Sequence, residues 1–288
     1  MPKIKISNND IKYIIQQYQN NISVLDLAYK YNVDQSTIRR ILNKNNIKLN
    51  GVPGQRRIFE VNDCFFDEID TAEKAYLLGF LFADGYIYNK NNSITLGLAE
   101  QDVDTLQLLN NLIQPTKKLY YHSYKNKNQQ DRYSMIIRSK HMREKLAEYG
   151  VVQCKTHITK FPHMINDNFY NSFILGVFDG DGCVGLYPKK DSNRWICSTY
   201  IIGTYEFILF VKNIIETNIG VHCSLIKIDC NGDIYRIQIS GYKQVLKMMN
   251  YMYSNSSTIF LQRKYKKFIE INEKYIQYLE LKESKEAI

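Results

Sequence analysis

One unusual apolar stretch occurs twice in this chain, and the repetition constrains what the chain can fold into. The first copy is Tyr76-Leu-Leu-Gly-Phe-Leu-Phe-Ala-Asp-Gly-Tyr86 and the second is Phe173-Ile-Leu-Gly-Val-Phe-Asp-Gly-Asp-Gly-Cys183. Each carries a small residue at every fourth position, Gly79 and Ala83 in one and Gly176 and Gly180 in the other, and each ends in Asp-Gly. The pattern predicts two short buried helices, with Gly85 and Gly182 as left-handed caps just past their ends and Asp84 and Asp181 on their last turns. A carboxylate there meets the negative pole of the helix dipole, which costs about 0.3–1 kcal/mol at an exposed site.

Small residues let two helices approach closely, so the four above are expected at the contact, where side-by-side packing brings Asp84 and Asp181 together. Two carboxylates and two negative helix ends at one point favour a divalent cation. Oxygen donors of this kind suit Mg2+, which keeps water and phosphate oxygens as its other ligands.

Other readings of the stretch fail on context. The apolar run 75–83 is far shorter than the roughly 20 residues of a membrane span. Gly180 to Gly185 matches a dinucleotide fingerprint, but follows a helical run where that fingerprint follows a strand. A calcium loop from Asp179 lacks a ligand at Cys183 and a closing glutamate. An ordinary core helix accounts for either copy alone; it does not account for the duplication.

The two stretches resemble the paired motifs of single-chain LAGLIDADG homing endonucleases, with the acids Asp84 and Asp181 in corresponding places. The first copy departs from the family pattern with Phe82 where an earlier Asp is common; the second keeps Asp179. The resemblance implies an α+β chain of two pseudo-symmetric αββαββα halves whose sheets form a saddle on DNA. It implies a site-specific double-strand DNA endonuclease in which Asp84 and Asp181 hold Mg2+ and each half cuts one strand, leaving a short 3′ overhang. A family lysine that organises water and stabilises the leaving charge matches Lys155 and Lys264, with Arg263 as an alternative to the latter. Gln101 or Glu100 corresponds to its water-positioning polar residue. The resemblance further implies a monomer on a long asymmetric target. The same fold also serves cleavage-inactive DNA-binding regulators and intron maturases, for which intron RNA is a partner.

The chain has 288 residues, 44% of them hydrophobic, and a net charge of +9, which suits a polyanionic partner. Residues 1–60 contain ten Lys or Arg against four Asp or Glu, so a surplus of six lies there. Helices are expected over 10–18, 23–31 with Ser23 as N-cap, and 37–44 capped by Asp34 or Ser36. The trio resembles the helix-turn-helix of resolvases, whose last helix enters the major groove. Gln35, Ser36, Arg39 and Arg40 are the base-edge candidates there; Lys44 and Lys48 suit phosphates. A plain three-helix bundle with a solvated basic face is the alternative. Residues 50–57, with Arg56 and Arg57, read as a linker able to follow DNA.

The organisation expected is thus a helix-turn-helix module over 1–50, a linker and lead-in over 51–72, and two halves over 73–165 and 166–288. Strand alternation places Ile94, Leu96 and Leu98 on a buried face and Ser93, Thr95 and Gly97 opposite. In the second half Arg236, Gln238 and Ser240 share one face; with Arg138 of the first half they are candidates for DNA contact. A solvent-facing sheet would alternate identically. The charged tail 266–288 is expected as an outer helix. Six cysteines and five histidines are scattered without metal-ligand or disulfide spacing, which supports neither a zinc site nor a disulfide framework. The N-terminus lacks a secretory signal, so an intracellular, membrane-free protein is expected.

Overall fold

The computed structural model describes residues 6–20, 22–47, 49, 59–124, 130–155, 159–162, 164–188, 195–229, 232–254 and 256–286. Two compact units emerge, Met1–Glu60 and Val61–Ile288.

In the first unit, local capping decides where helices begin. The Ser7 hydroxyl accepts the Asp10 N–H at 3.2 Å, and the Asp10 carboxylate accepts the Ser7 N–H in return, which starts α1 (Asn8–Gln19). Ser23 caps α2 (Val24–Lys30). Asp34, rather than Ser36, caps α3 (Gln35–Lys44), accepting the Ser36 N–H at 2.7 Å. Asn32 takes a left-handed conformation, φ 49°, in the tight turn from α2 to α3. Ile14, Tyr18, Leu27, Ala28, Ile38 and Leu42 form this unit's core.

The second unit repeats one order of elements. The first half runs α4 (Ala72–Ala83), β1 (Tyr86–Tyr88), β2 (Ser93–Ala99), α5 (Val103–Ile113), β3 (Tyr120–His122), β4 (Arg132–Arg138) and α6 (Lys140–Glu148). The second runs α7 (Tyr170–Asp181), β5 (Gly182–Pro188), β6 (Trp195–Thr204), α8 (Tyr205–Ile219), β7 (Ser224–Lys227), β8 (Ile234–Ser240) and α9 (Tyr242–Tyr253), followed by α10 (Gln262–Glu286). Two antiparallel four-stranded sheets result, β1-β2-β4-β3 and β5-β6-β8-β7, so the class is α+β with two αββαββα halves.

Both repeated helices are apolar all round and therefore buried all round. Residues Ala75 to Phe82 of α4 and Ser172 to Asp179 of α7 lie within one core that spans both halves. Two expectations need correction. Ser93 is buried: it begins an inner strand, paired with Tyr88 on one side and Arg138 on the other, and its N–H is accepted by the Asn91 side chain at 3.1 Å. The final helix starts at Gln262 and its first turns are inside: Leu261, Lys264, Phe268 and Ile271 are buried, and only the later turns are outer.

Candidate active site at the ends of the paired helices

Backbone meets backbone where α4 and α7 cross. A Cβ on Gly79 would strike the carbonyl of Phe173, and one on Gly176 would strike the carbonyl of Tyr76. Gly79 and Gly176 correspond in the repeat, as do Tyr76 and Phe173, so the contact is reciprocal, which is the signature of a two-fold relation. One turn on, a Cβ at Gly180 would collide with that of Ala83 and stand 3.4 Å from the Asp84 carboxylate. The four small residues therefore lie at the contact and bring the two Asp-Gly corners side by side.

The capping glycines work differently from the expectation. Gly85 is outside the left-handed region and Gly182 is extended, with φ −102° and ψ 162°. Glycine is needed because the chain passes straight from helix into strand, and a Cβ at Gly85 or Gly182 would press on the carbonyl of Leu81 or Phe178 in the preceding turn. Asp84 ends α4 as its C-cap, and Asp181 is the last residue of α7.

Compensation of the two helix ends comes from the chain itself. The Lys155 ammonium donates to the carbonyls of Ala83 at 3.0 Å and Gly85 at 2.6 Å. Lys264 donates to Phe178 at 2.5 Å, Asp179 at 3.0 Å and Gly182 at 2.6 Å. Each lysine thus binds the last carbonyls of one motif helix, where a cation offsets the dipole.

Burial is the largest influence on the three aspartates and the two lysines here. It raises Asp181 to about 6, with the neighbouring Asp84 charge adding to the rise and Lys155 and Lys264 opposing it. Asp84 is also raised by burial, against the pull of Lys264, Lys155, Arg132 and Arg263. Both aspartates nevertheless retain exposed surface. Burial lowers Lys264 to about 8 and lowers Lys155 as well. Asp179, fully inside, is raised by burial to about 6; its Oδ2 accepts the Tyr76 hydroxyl across the helix pair at 2.8 Å and the Leu261 N–H at 2.9 Å.

Sequence reading passed over Arg132 and Asp102, and named Arg263 and Asp179 without their partners. Arg132 lies over Gly97 on the first sheet, where a Cβ would meet its guanidinium, and its charge reaches Asp84. Arg263 is held at the first turn of α10 by Asp102 of the other half at 3.0 Å, which leaves Lys264, not Arg263, on the helix carbonyls. Asp179, kept in the second copy where the first has Phe82, joins Tyr76 and Leu261 through its carboxylate and Lys264 through its main-chain carbonyl. No spacing rule links Arg132 or Asp102 to the motif, since each arrives through sheet or helix packing.

The polar sheet faces carry the other candidates. Strand pairing of Ser198 with Ser240, Tyr200 with Gln238 and Ile202 with Arg236 puts these residues on the face away from buried Thr199, Ile201, Ile237 and Ile239. Arg236 is half-buried, its guanidinium 5.4 Å over the Tyr200 ring. In the first half Arg138 pairs with Ser93, on the same strand face as Arg132 and Ser134. Gln101 and Glu100 fall in a short helical turn after β2. In the first unit Ser36, Arg40 and Lys44 are exposed, whereas Arg39, a base-edge candidate, is half-buried and donates to Gln35, one turn back, at 2.8 Å. Lys48, Arg56 and Arg57 lie outside the described residues.

No family model and no curated protein matches the sequence. Among solved structures, the LAGLIDADG homing endonuclease I-GzeII in complex with its DNA target aligns with a TM-score of 0.50 at 13% identity, over 72% of this chain and 91% of that one. The LAGLIDADG meganuclease I-AabMI bound to uncleaved DNA aligns with a TM-score of 0.46 at 13% identity, over 73% and 91%. Full-length DUF199/WhiA from Thermatoga maritima gives 0.42 at 15% identity, over 78% and 72%. With the repeated αββαββα order and its two four-stranded sheets, the alignment to I-GzeII gives the two halves of this chain the LAGLIDADG homing endonuclease fold.

Proposed function

We propose that the protein is a site-specific double-strand DNA endonuclease that hydrolyses one phosphodiester per strand at the joined ends of α4 and α7. The observation that carries this reading is the convergence of Asp84 and Asp181, each backed by a lysine bound to its own helix end. A structural ion pair would place each lysine on a carboxylate; here the ammonium groups take main-chain carbonyls. The acids keep exposed oxygen donors, and this hard, anionic donor set fits a magnesium-type divalent cation. When bound, such a cation would neutralise charge on the scissile phosphate and make an attacking water more acidic.

The chain's own residues do the rest. Asp84 and Asp181 hold the ion and accept water hydrogen bonds. Lys155, with one ammonium proton beyond its two carbonyl bonds, faces the leaving oxygen or the attacking water. The sheet faces bearing Arg132, Arg138, Arg236 and Gln238 lie along the duplex, positioning it through phosphates and reading base edges. The first unit adds a helix, α3, with Ser36, Arg40 and Lys44 for the major groove. A monomer binds a long asymmetric target, because two unequal halves supply the two sites.

The test is incubation with DNA carrying the native target and Mg2+. Double-strand cleavage is expected, with Asp84→Asn and Asp181→Asn each abolishing it while retaining binding. Tight binding by the wild type without cleavage would instead leave a DNA-binding regulator or maturase on this fold. Cleavage by both variants would take the aspartates out of the metal site.

A further inference from the structure

Cysteine and histidine spacing offers no metal site, yet the fold collects three unlike ligands on the first half. Cys64 and Asp67 share the tight turn that opens the second unit, where the Asp67 N–H donates to the Cys64 carbonyl at 3.0 Å. His141 arrives from the start of α6, and its Nε2 lies 2.5 Å from Asp67 Oδ1. The Cys64 sulfur, an Asp67 oxygen and a His141 nitrogen all lie within 4.8 Å of one another, on exposed side chains.

Both supports are fixed from behind. Phe65 and Phe66, inside the turn, are buried in the core, and the Asn62 N–H donates to the Ile113 carbonyl at 2.8 Å. Ser139 caps α6, which buries Met142 and Leu146. The three donor atoms therefore face outward from backbones that are held.

We propose that Cys64, Asp67 and His141 bind Zn2+, with water as the fourth ligand. Bonds of about 2.0–2.3 Å set tetrahedral ligand atoms roughly 3.2–3.8 Å apart, so the His141–Asp67 pair must open and a separation at the 4.8 Å limit must close by about 1 Å. Rotation of exposed side chains supplies such shifts. The neighbouring charges choose the type of ion. Lys145, one turn along α6, and the positive N-terminus of that helix oppose any cation, so binding rests on the sulfur bond, which favours a thiophilic ion over magnesium. The bond and charge of Asp67 hold the Cys64 thiol in its protonated form, and the metal must displace that proton. A zinc ion here would staple the entry turn of the second unit to α6, at a distance in sequence from the carboxylate pair.

Cobalt(II), added to the metal-free full chain, is the probe, because a cobalt–thiolate bond gives a near-ultraviolet charge-transfer band that oxygen ligands cannot. One equivalent is expected to raise this band together with tetrahedral visible bands, and Zn2+ should bleach both. Cys64→Ser should remove the charge-transfer band, His141→Ala should weaken binding at least tenfold, and Cys154→Ser should leave the spectrum unchanged. Thermal melts establish that each variant is folded. Absence of the band at millimolar cobalt, or its persistence in folded Cys64→Ser, overturns the proposal.

Discussion

At the residue scale the two site lysines are unequal. An ammonium group has three protons. Lys264 commits all three to Phe178, Asp179 and Gly182, whereas Lys155 commits two to Ala83 and Gly85. Lys264 is also the more buried, and burial lowers it to about 8. Lys264 is therefore fully engaged in holding the end of α7, whereas Lys155 keeps an uncommitted proton, the one given a part in the proposed cleavage. Lys264→Met is expected to lower stability by about 1–3 kcal/mol by leaving buried carbonyls unpaired, measured as a shift in urea midpoint. Lys155→Met is expected to cost mainly cleavage rate, by about ten- to a hundredfold, with a smaller change in that midpoint. Equal effects of both variants on both readouts would refute the division.

The carboxylates supply a pH dependence of definite sign. Burial first, and then Asp84, raise Asp181 from 3.8 to about 6, and Asp84 is raised too, so the anionic pair proposed to hold the metal is lost as pH falls through that region. Interacting acids titrate as a pair. Cleavage should therefore decline below pH about 6, and a tenfold increase in Mg2+ should move the acid limb downward, because metal and proton compete for the same oxygens. A limb insensitive to Mg2+ would place its origin elsewhere.

At the scale of elements, the packing of α4 on α7 turns on positions where no side chain fits. In an exposed helix Gly→Ala stabilises by about 1 kcal/mol. At Gly79 or Gly176 the added methyl meets the carbonyl of Phe173 or Tyr76, and helices locked in a shared core separate only at the expense of that core. Gly79→Ala and Gly176→Ala are each expected to destabilise by about 1–3 kcal/mol or more in chemical denaturation. Stabilisation by either would mean the helices stand further apart.

These elements were largely legible in the sequence, for a physical reason. An apolar run with small residues at every fourth place and a terminal Asp-Gly encodes helix, contact and acid within nine residues, and duplication supplies the partner. Ser23 and Asp34 announce their helices by local bonds alone. What stayed hidden depends on long-range packing: the inward start of α10, the reach of Arg132 across its sheet, the pairing of Arg263 with Asp102, and the meeting of Cys64 with His141. The glycine corners were located correctly but misread in conformation, because a left-handed cap and a direct helix-to-strand passage both require glycine.

At the scale of the whole molecule, charge separates the roles of the two units. Two-thirds of the net charge, six of nine, lies in residues 1–60, so deleting that segment removes most of the basic surplus while leaving Asp84 and Asp181 in place. Weaker DNA binding and a shallower dependence of log affinity on log salt are expected, since each phosphate contact releases counterions. An unchanged slope in salt-titrated binding would show that those basic residues do not meet phosphate.

The hydrogen bond from Tyr76 to Asp179 has a consequence for how the duplicated halves may associate. In the repeat, Tyr76 corresponds to Phe173 and Asp179 to Phe82. Two first halves placed together would face a hydroxyl with phenylalanine, and two second halves would bury a pair of carboxylates against rings that cannot donate. Only the unlike pairing joins donor to acceptor, as a plug joins a socket. A molecule that began as two copies of one unit thus carries, in a single buried bond, the instruction that it can no longer be built from either copy twice.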